Sequence, residues 1–128
     1  MLDLKISNYE IPAEKNTYAC QAWEVPAAKS KPLHIVSVAA VLHPATAGYV
    51  HHFLTYMCKY ENNTGNYVHN YLNNPGVCNS AIGSGTSGCS TVMYAWAGGI
   101  GELRMPENAG FRLEGEGRYI VEIGRAHV

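Results

Sequence analysis

The chain has 128 residues, a formal net charge of −1 and only 15% charged residues. That length fits one domain burying about two-thirds of its unfolded surface, and the near-neutral charge gives no electrostatic case for nucleic acid or an anionic membrane. No apolar run approaches the roughly 20 residues needed to cross a bilayer, so no membrane segment is expected in this chain.

Gly, Asn, Ser, Thr and Tyr are plentiful, a mix that suits short strands joined by loops more than helices. Leu2 to Ile6 alternates apolar with polar and reads as an edge strand, ended by Ile11-Pro12 because proline cannot donate to a ladder. Thr17 to Val25 is a second strand, stopped by Pro26. Ala27 to Pro32 is a polar loop. Leu33 to Leu42 is the most apolar run and reads as a buried strand, with His34 structural and His43 solvated before Pro44. Tyr49 to Tyr60 follows at a spacing that fits an antiparallel hairpin with the strand before it.

Glu61 to Ser90 is long, rich in Asn, Gly and Ser, and carries His69. A loop of that length inside one domain needs staples or a function. Thr91 to Ala97 resumes a strand pattern, Gly110 to Leu113 is a short strand, and Arg118 to Val121 begins a last one. Met57, Met93 and Met105 read as core or loop residues. Short strands separated by Gly and Pro turns predict an all-β fold, an antiparallel β-sandwich.

Cys20, Cys58, Cys78 and Cys89 include no Cys-x-x-Cys pair, which argues against a zinc knuckle or a thioredoxin-type site. Two disulfides are expected, with three connectivities open. They imply an oxidising compartment, and Asn62-Asn63-Thr64 is a glycosylation sequon that points weakly the same way. The chain is therefore expected to be secreted or to lie in the secretory lumen. Met1 to Lys5 is no signal peptide, lacking a sustained apolar core.

His51 and His52 open the strand that ends at Cys58. Neighbours in a regular strand point to opposite faces, so both can meet one metal only at a strand start, an edge or a bulge. Gly48 just before them supplies backbone freedom. Taken alone, the pair reads as one buried, hydrogen-bonded histidine and one in water.

The order of short motifs changes that reading. Tyr9-x-Ile11-Pro12, Asn16-Thr17-Tyr18-Ala19-Cys20, His34-Ile35-Val36 and Val50-His51-His52-Phe53-Leu54 with Cys58 beyond come first. Cys78, Cys89, Tyr94-Ala95-Trp96-Ala97 and Pro106-Glu107-x-Ala109-Gly110-Phe111 follow. In this order they resemble the N-terminal copper domain of the copper type II, ascorbate-dependent monooxygenases, the family of dopamine β-hydroxylase and peptidylglycine α-hydroxylating monooxygenase. The likeness covers about Tyr9 to Val121, after a lead-in of residues 1–8.

The resemblance implies a jelly-roll-like sandwich and the pairings Cys20–Cys78 and Cys58–Cys89. It implies that His51 and His52 are two of three histidines holding an electron-transfer copper, which imidazole suits in both redox states. Tyr18 matches a tyrosine beside that copper, in a supporting role. The implied reaction inserts one oxygen atom of dioxygen into an aliphatic C–H bond of a small-molecule or peptide substrate, with ascorbate as electron donor. The alternative is a non-catalytic, secreted, disulfide-bonded sandwich that binds metal weakly or not at all.

Two departures qualify the likeness. The oxygen-activating copper of the family sits in a following domain, on a His-x-His pair and a methionine, and this chain has no His-x-His. It is expected to need that C-terminal domain as a partner and to hydroxylate nothing alone. The third histidine of the electron-transfer site falls, counting from Tyr119, on Arg125; His127 shares a regular strand's face with it but is out of register. Ile123 to Val128 is moreover what one reading frame of a common sequencing-library adapter encodes, with Glu122 completing the preceding codon. Native sequence is expected to stop at Val121, leaving 122–128 as a non-native tail.

Overall fold

The structure is a computed structural model. It describes residues 2–6, 9–13, 16–59, 70–78, 88–89, 91–98 and 101–126. His69, Asn62 and His127 lie outside the described residues.

Five strands make the main sheet: β1 (Thr17–Glu24), β4 (Val50–Lys59), β5 (Gly76–Val77), β6 (Thr91–Trp96) and β9 (Arg118–Ala126). Their order is β5-β1-β9-β4-β6, and every pairing is antiparallel. Two small antiparallel sheets form the second layer. One joins β2 (Leu33–Ile35) to β8 (Phe111–Leu113), the other β3 (Ser37–Val38) to β7 (Leu103–Arg104). The expected all-β, antiparallel architecture is present, with little helix among the described residues: the single turn α1 (Ala27–Ser30) and Asn70.

Strand alternation divides the core in two. On one face of the main sheet Cys20, Ala22, Tyr56, Cys58, Tyr119, Val121 and Ile123 are buried with Cys89, and Tyr71, Leu72 and Cys78 pack over them. On the other face Ile120 and Met93 are buried with Val25, Ala28 and Leu113. Leu33, Ile35, Val38 and Phe111 bring the second layer against them. Both disulfides are formed, Cys20–Cys78 and Cys58–Cys89, as the resemblance implied. They anchor the 70–78 segment and Cys89 to β1 and β4, where the long connection needed staples.

Four local expectations fail. Leu2 to Ile6 forms no strand; Leu4 packs against the second core without joining a ladder. Ala27–Ser30 is helical because Pro26, with its fixed φ of −65°, is already set for a helical start. Leu33 to Leu42 is two short strands rather than one buried one. Val36 breaks the run, its carbonyl accepting from Met105 N at 2.8 Å. Half of the run faces solvent: His34 is exposed and Val41 is 92% exposed. The hairpin expected between that run and β4 is absent, since β4 pairs with β6 and β9 instead. Hydropathy reports how apolar a segment is, and it cannot tell which distant strand will be its neighbour.

Candidate metal-binding site

β4 carries the histidine pair at its start, where the ladder with β9 is irregular. Val50 stands opposite Ala126 and His52 opposite Arg125, so His51 is the extra residue of a bulge. A bulge suspends strict alternation and re-aims a side chain. Adjacent imidazoles are thereby released from the opposite-face rule that would separate them in a flat strand. His51 is exposed and His52 partly buried.

The register places more than the pair. Arg125 pairs with Tyr18 on β1 and with His52 on β4, so the three stand in one cross-strand row. That row lies on the face of the disulfide core, two residues along each strand from Cys20, Ile123 and Leu54. Tyr18 is tied in from the other side, its carbonyl accepting from Cys78 N at 2.9 Å. Arg125 Nη2 donates to Asn16 Oδ1 at 2.8 Å, while its Nε is buried with no acceptor.

On the opposite face, Phe53 follows the pair and stacks on Trp96, its partner on β6, with ring centroids 5.5 Å apart. Tyr94 completes this aromatic group at 6.1 Å from Phe53, and its hydroxyl donates to the Gly101 carbonyl. These contacts hold β4 against β6 directly behind the histidines.

The donor set tests whether copper fits. His51 and His52 offer two imidazole nitrogens. No group of three or more His, Cys, Asp or Glu side chains is gathered for a metal among the described residues. Beside His52 in the cross-strand row stands Arg125, a permanent cation with donors only. At this strand start two adjacent imidazoles stand without a third metal donor gathered beside them among the described residues.

A groove of about 620 Å³ lies elsewhere, lined by His34, Val36, Arg104, Met105, Glu107 and Asn108 among others. It includes neither histidine of the pair. Its wall is the Pro106–Ala109 turn, closed by Ala109 N donating to the Pro106 carbonyl, with Asn108 at φ 63°. Sequence reading took His34 as structural, and its exposed place on this rim was not foreseen.

Known proteins supply the context. Residues 2–123 match the model of the copper type II ascorbate-dependent monooxygenase N-terminal domain, and the chain belongs to that family. It is 32% identical over 117 residues to DBH-like monooxygenase protein 2 of Mus musculus, covering 87% of this chain and 16% of that protein. It is 27% identical over 122 residues to dopamine beta-hydroxylase of Homo sapiens, covering 93% of this chain and 19% of that protein. To peptidylglycine alpha-amidating monooxygenase of Rattus norvegicus it is 28% identical over 105 residues, 82% of this chain and 9% of that protein. The chain thus spans less than a fifth of these relatives.

Proposed function

We propose that this chain is the electron-transfer copper domain of a secreted, ascorbate-dependent monooxygenase, with its metal site incomplete. The observation that carries this reading is the bulge at His51, in the same strand start where His52 faces Tyr18 across Arg125. His51 and His52 would hold copper, and Tyr18 would fix the surroundings of His52. When bound, that copper would store one electron from ascorbate. The residues of this chain orient the imidazoles: β9 sets the register, the bulge re-aims His51, and the Phe53–Trp96 stack stiffens β4 behind them. Hydroxylation of a small-molecule or peptide substrate would require a C-terminal domain with the second metal site.

The two disulfides support an oxidising, secretory location. The tail from residue 122 is proposed to be non-native, so that a longer protein would carry a different residue at position 125.

Copper titration of the wild type against His51→Ala and His52→Ala tests the site. Each substitution should weaken binding markedly, and acid should release the metal, because only neutral imidazole ligates. Identical stoichiometry and affinity in all three proteins would remove the assignment. Arg125 favours one competing reading, a non-catalytic disulfide-bonded sandwich that holds metal weakly or not at all. That reading predicts no saturable copper binding by the wild type at micromolar concentrations.

A further inference from the structure

The rungs that β9 makes with residues 50–53 come from residues 124–126, inside the tail proposed above to be non-native. The flank of the histidine pair that does not depend on that tail is β6. Its ladder with β4 ends, among the described residues, at the rung Phe53–Trp96. His52 is the next residue beyond that rung, and His51 the one after. Strand ends open first, so whatever fixes the last rung fixes the root of both histidines.

The last rung is fixed by rings. Phe53 is 7% exposed, and its ring stacks on that of Trp96 with 5.5 Å between centroids and 14° between planes. Tyr94, 3% exposed, adds a tilted contact with Phe53 at 6.1 Å. Gly98, at φ 60°, turns the chain out of β6 two residues after Trp96, a conformation that suits glycine. The Tyr94 hydroxyl ties the chain beyond that turn by donating to the Gly101 carbonyl at 2.7 Å. None of the three rings belongs to either core cluster. Trp96 itself is only partly buried. The group therefore acts at the mouth of β4 rather than in the interior that holds the layers together. Phe53, Tyr94 and Trp96 all lie within the family match and before the tail.

We propose that Trp96 is a positioning residue for the histidine pair: its stack on Phe53 orders the start of β4, and with it the roots of both imidazoles, before any metal arrives. The inference rests on the reading of His51 and His52 as copper ligands. A stacked aromatic pair stabilises beyond the area it buries, and a site ordered in advance loses less freedom on binding. A longer protein with a different sequence after residue 121 keeps this support, because every ring of the group precedes that point.

The experiment compares the wild type, Trp96→Leu and Trp96→Phe as intact chains with disulfides kept. Leucine retains apolar bulk and loses the stack, whereas phenylalanine retains a ring. In the metal-free proteins, backbone order parameters at His52 and Phe53 should be about 0.85 in the wild type and below about 0.6 in Trp96→Leu. Those of β1 and of β9 at Tyr119 to Val121 should not change. Copper affinity, read by competition with a chromogenic chelator, should fall by about tenfold in Trp96→Leu. Trp96→Phe should restore both quantities. Wild-type order at His52 and Phe53 in Trp96→Leu overturns the proposal. So does order lost equally in β1 and β9, which would make Trp96 a general support of the fold. A wild type that binds no copper sinks the ligand reading instead, and the order parameters still decide whether Trp96 holds the pair.

Discussion

Arg125 stands between Tyr18 and His52 in one row, and its charge bears on any cation the histidines hold. At an effective dielectric of about 20, unit charges roughly 5 Å apart repel by about 3 kcal/mol, and a divalent ion suffers twice that. Arg125→His replaces the repulsion with a nitrogen donor in the same register. Copper affinity should rise by at least about tenfold, measured by competition with a chromogenic chelator. An unchanged affinity would mean that position 125 does not face the metal. The interior gives a second prediction at this scale. Leu113 is 1% exposed in the core between the layers. Leu113→Ala should cost about 2–5 kcal/mol in urea unfolding, and a loss below about 1 kcal/mol would show that the site collapses around the deletion.

At the scale of elements, Gly110 at the start of β8 shows how closely β2 and β8 approach. A Cβ there would lie 3.2 Å from His34 Cβ and 3.2 Å from the Ile35 carbonyl oxygen. The backbone oxygen cannot swing aside, so Gly110→Val should destabilise by about 1–3 kcal/mol. An unaltered urea midpoint would count against that approach. The two disulfides close sequence separations of 58 and 31 residues. Reducing each should cost about 2–4 kcal/mol, and a melting temperature indifferent to reductant would contradict their role as staples.

The strands of six residues or more were legible from pattern: β1, β4, β6 and the beginning of β9 lie where alternation and β-branched runs put them. The two-residue strands β3, β5 and β7 were not, because two residues carry no periodicity and exist only through their partners. The need for a bulge or edge at the histidine pair could be argued from alternation alone. That the irregularity falls on His51, and that Arg125 completes the row, follows from pairing with a strand some 70 residues away.

The whole molecule is a main sheet with one face sealed by disulfide-anchored segments and the other by two small sheets. Its proposed chemistry needs a longer polypeptide, which makes the gene the decisive test at this scale. Sequence encoding a histidine in the register of Arg125, then a His-x-His pair and a methionine downstream, is expected from the source transcript. Genomic sequence that runs through Ile123-Gly124-Arg125 would instead make that arginine native.

β9 is the last of the described strands in the chain, yet it lies at the centre of the main sheet, between β1 and β4. During synthesis β1 and β4 must therefore wait, each with an open edge, while the rest of the domain emerges. Such edges are templates for wrong pairing, and contacts between segments so distant in sequence form slowly. Chain elongation at about 5–20 residues per second makes the interval before β9 appears several seconds long. The cysteines at 20, 58, 78 and 89 all precede β9, so oxidation can tie the partly made sheet before its middle strand exists. In the proposed secretory lumen, ribosomal order would make the oxidising machinery, rather than the hydrophobic core, the first custodian of the fold.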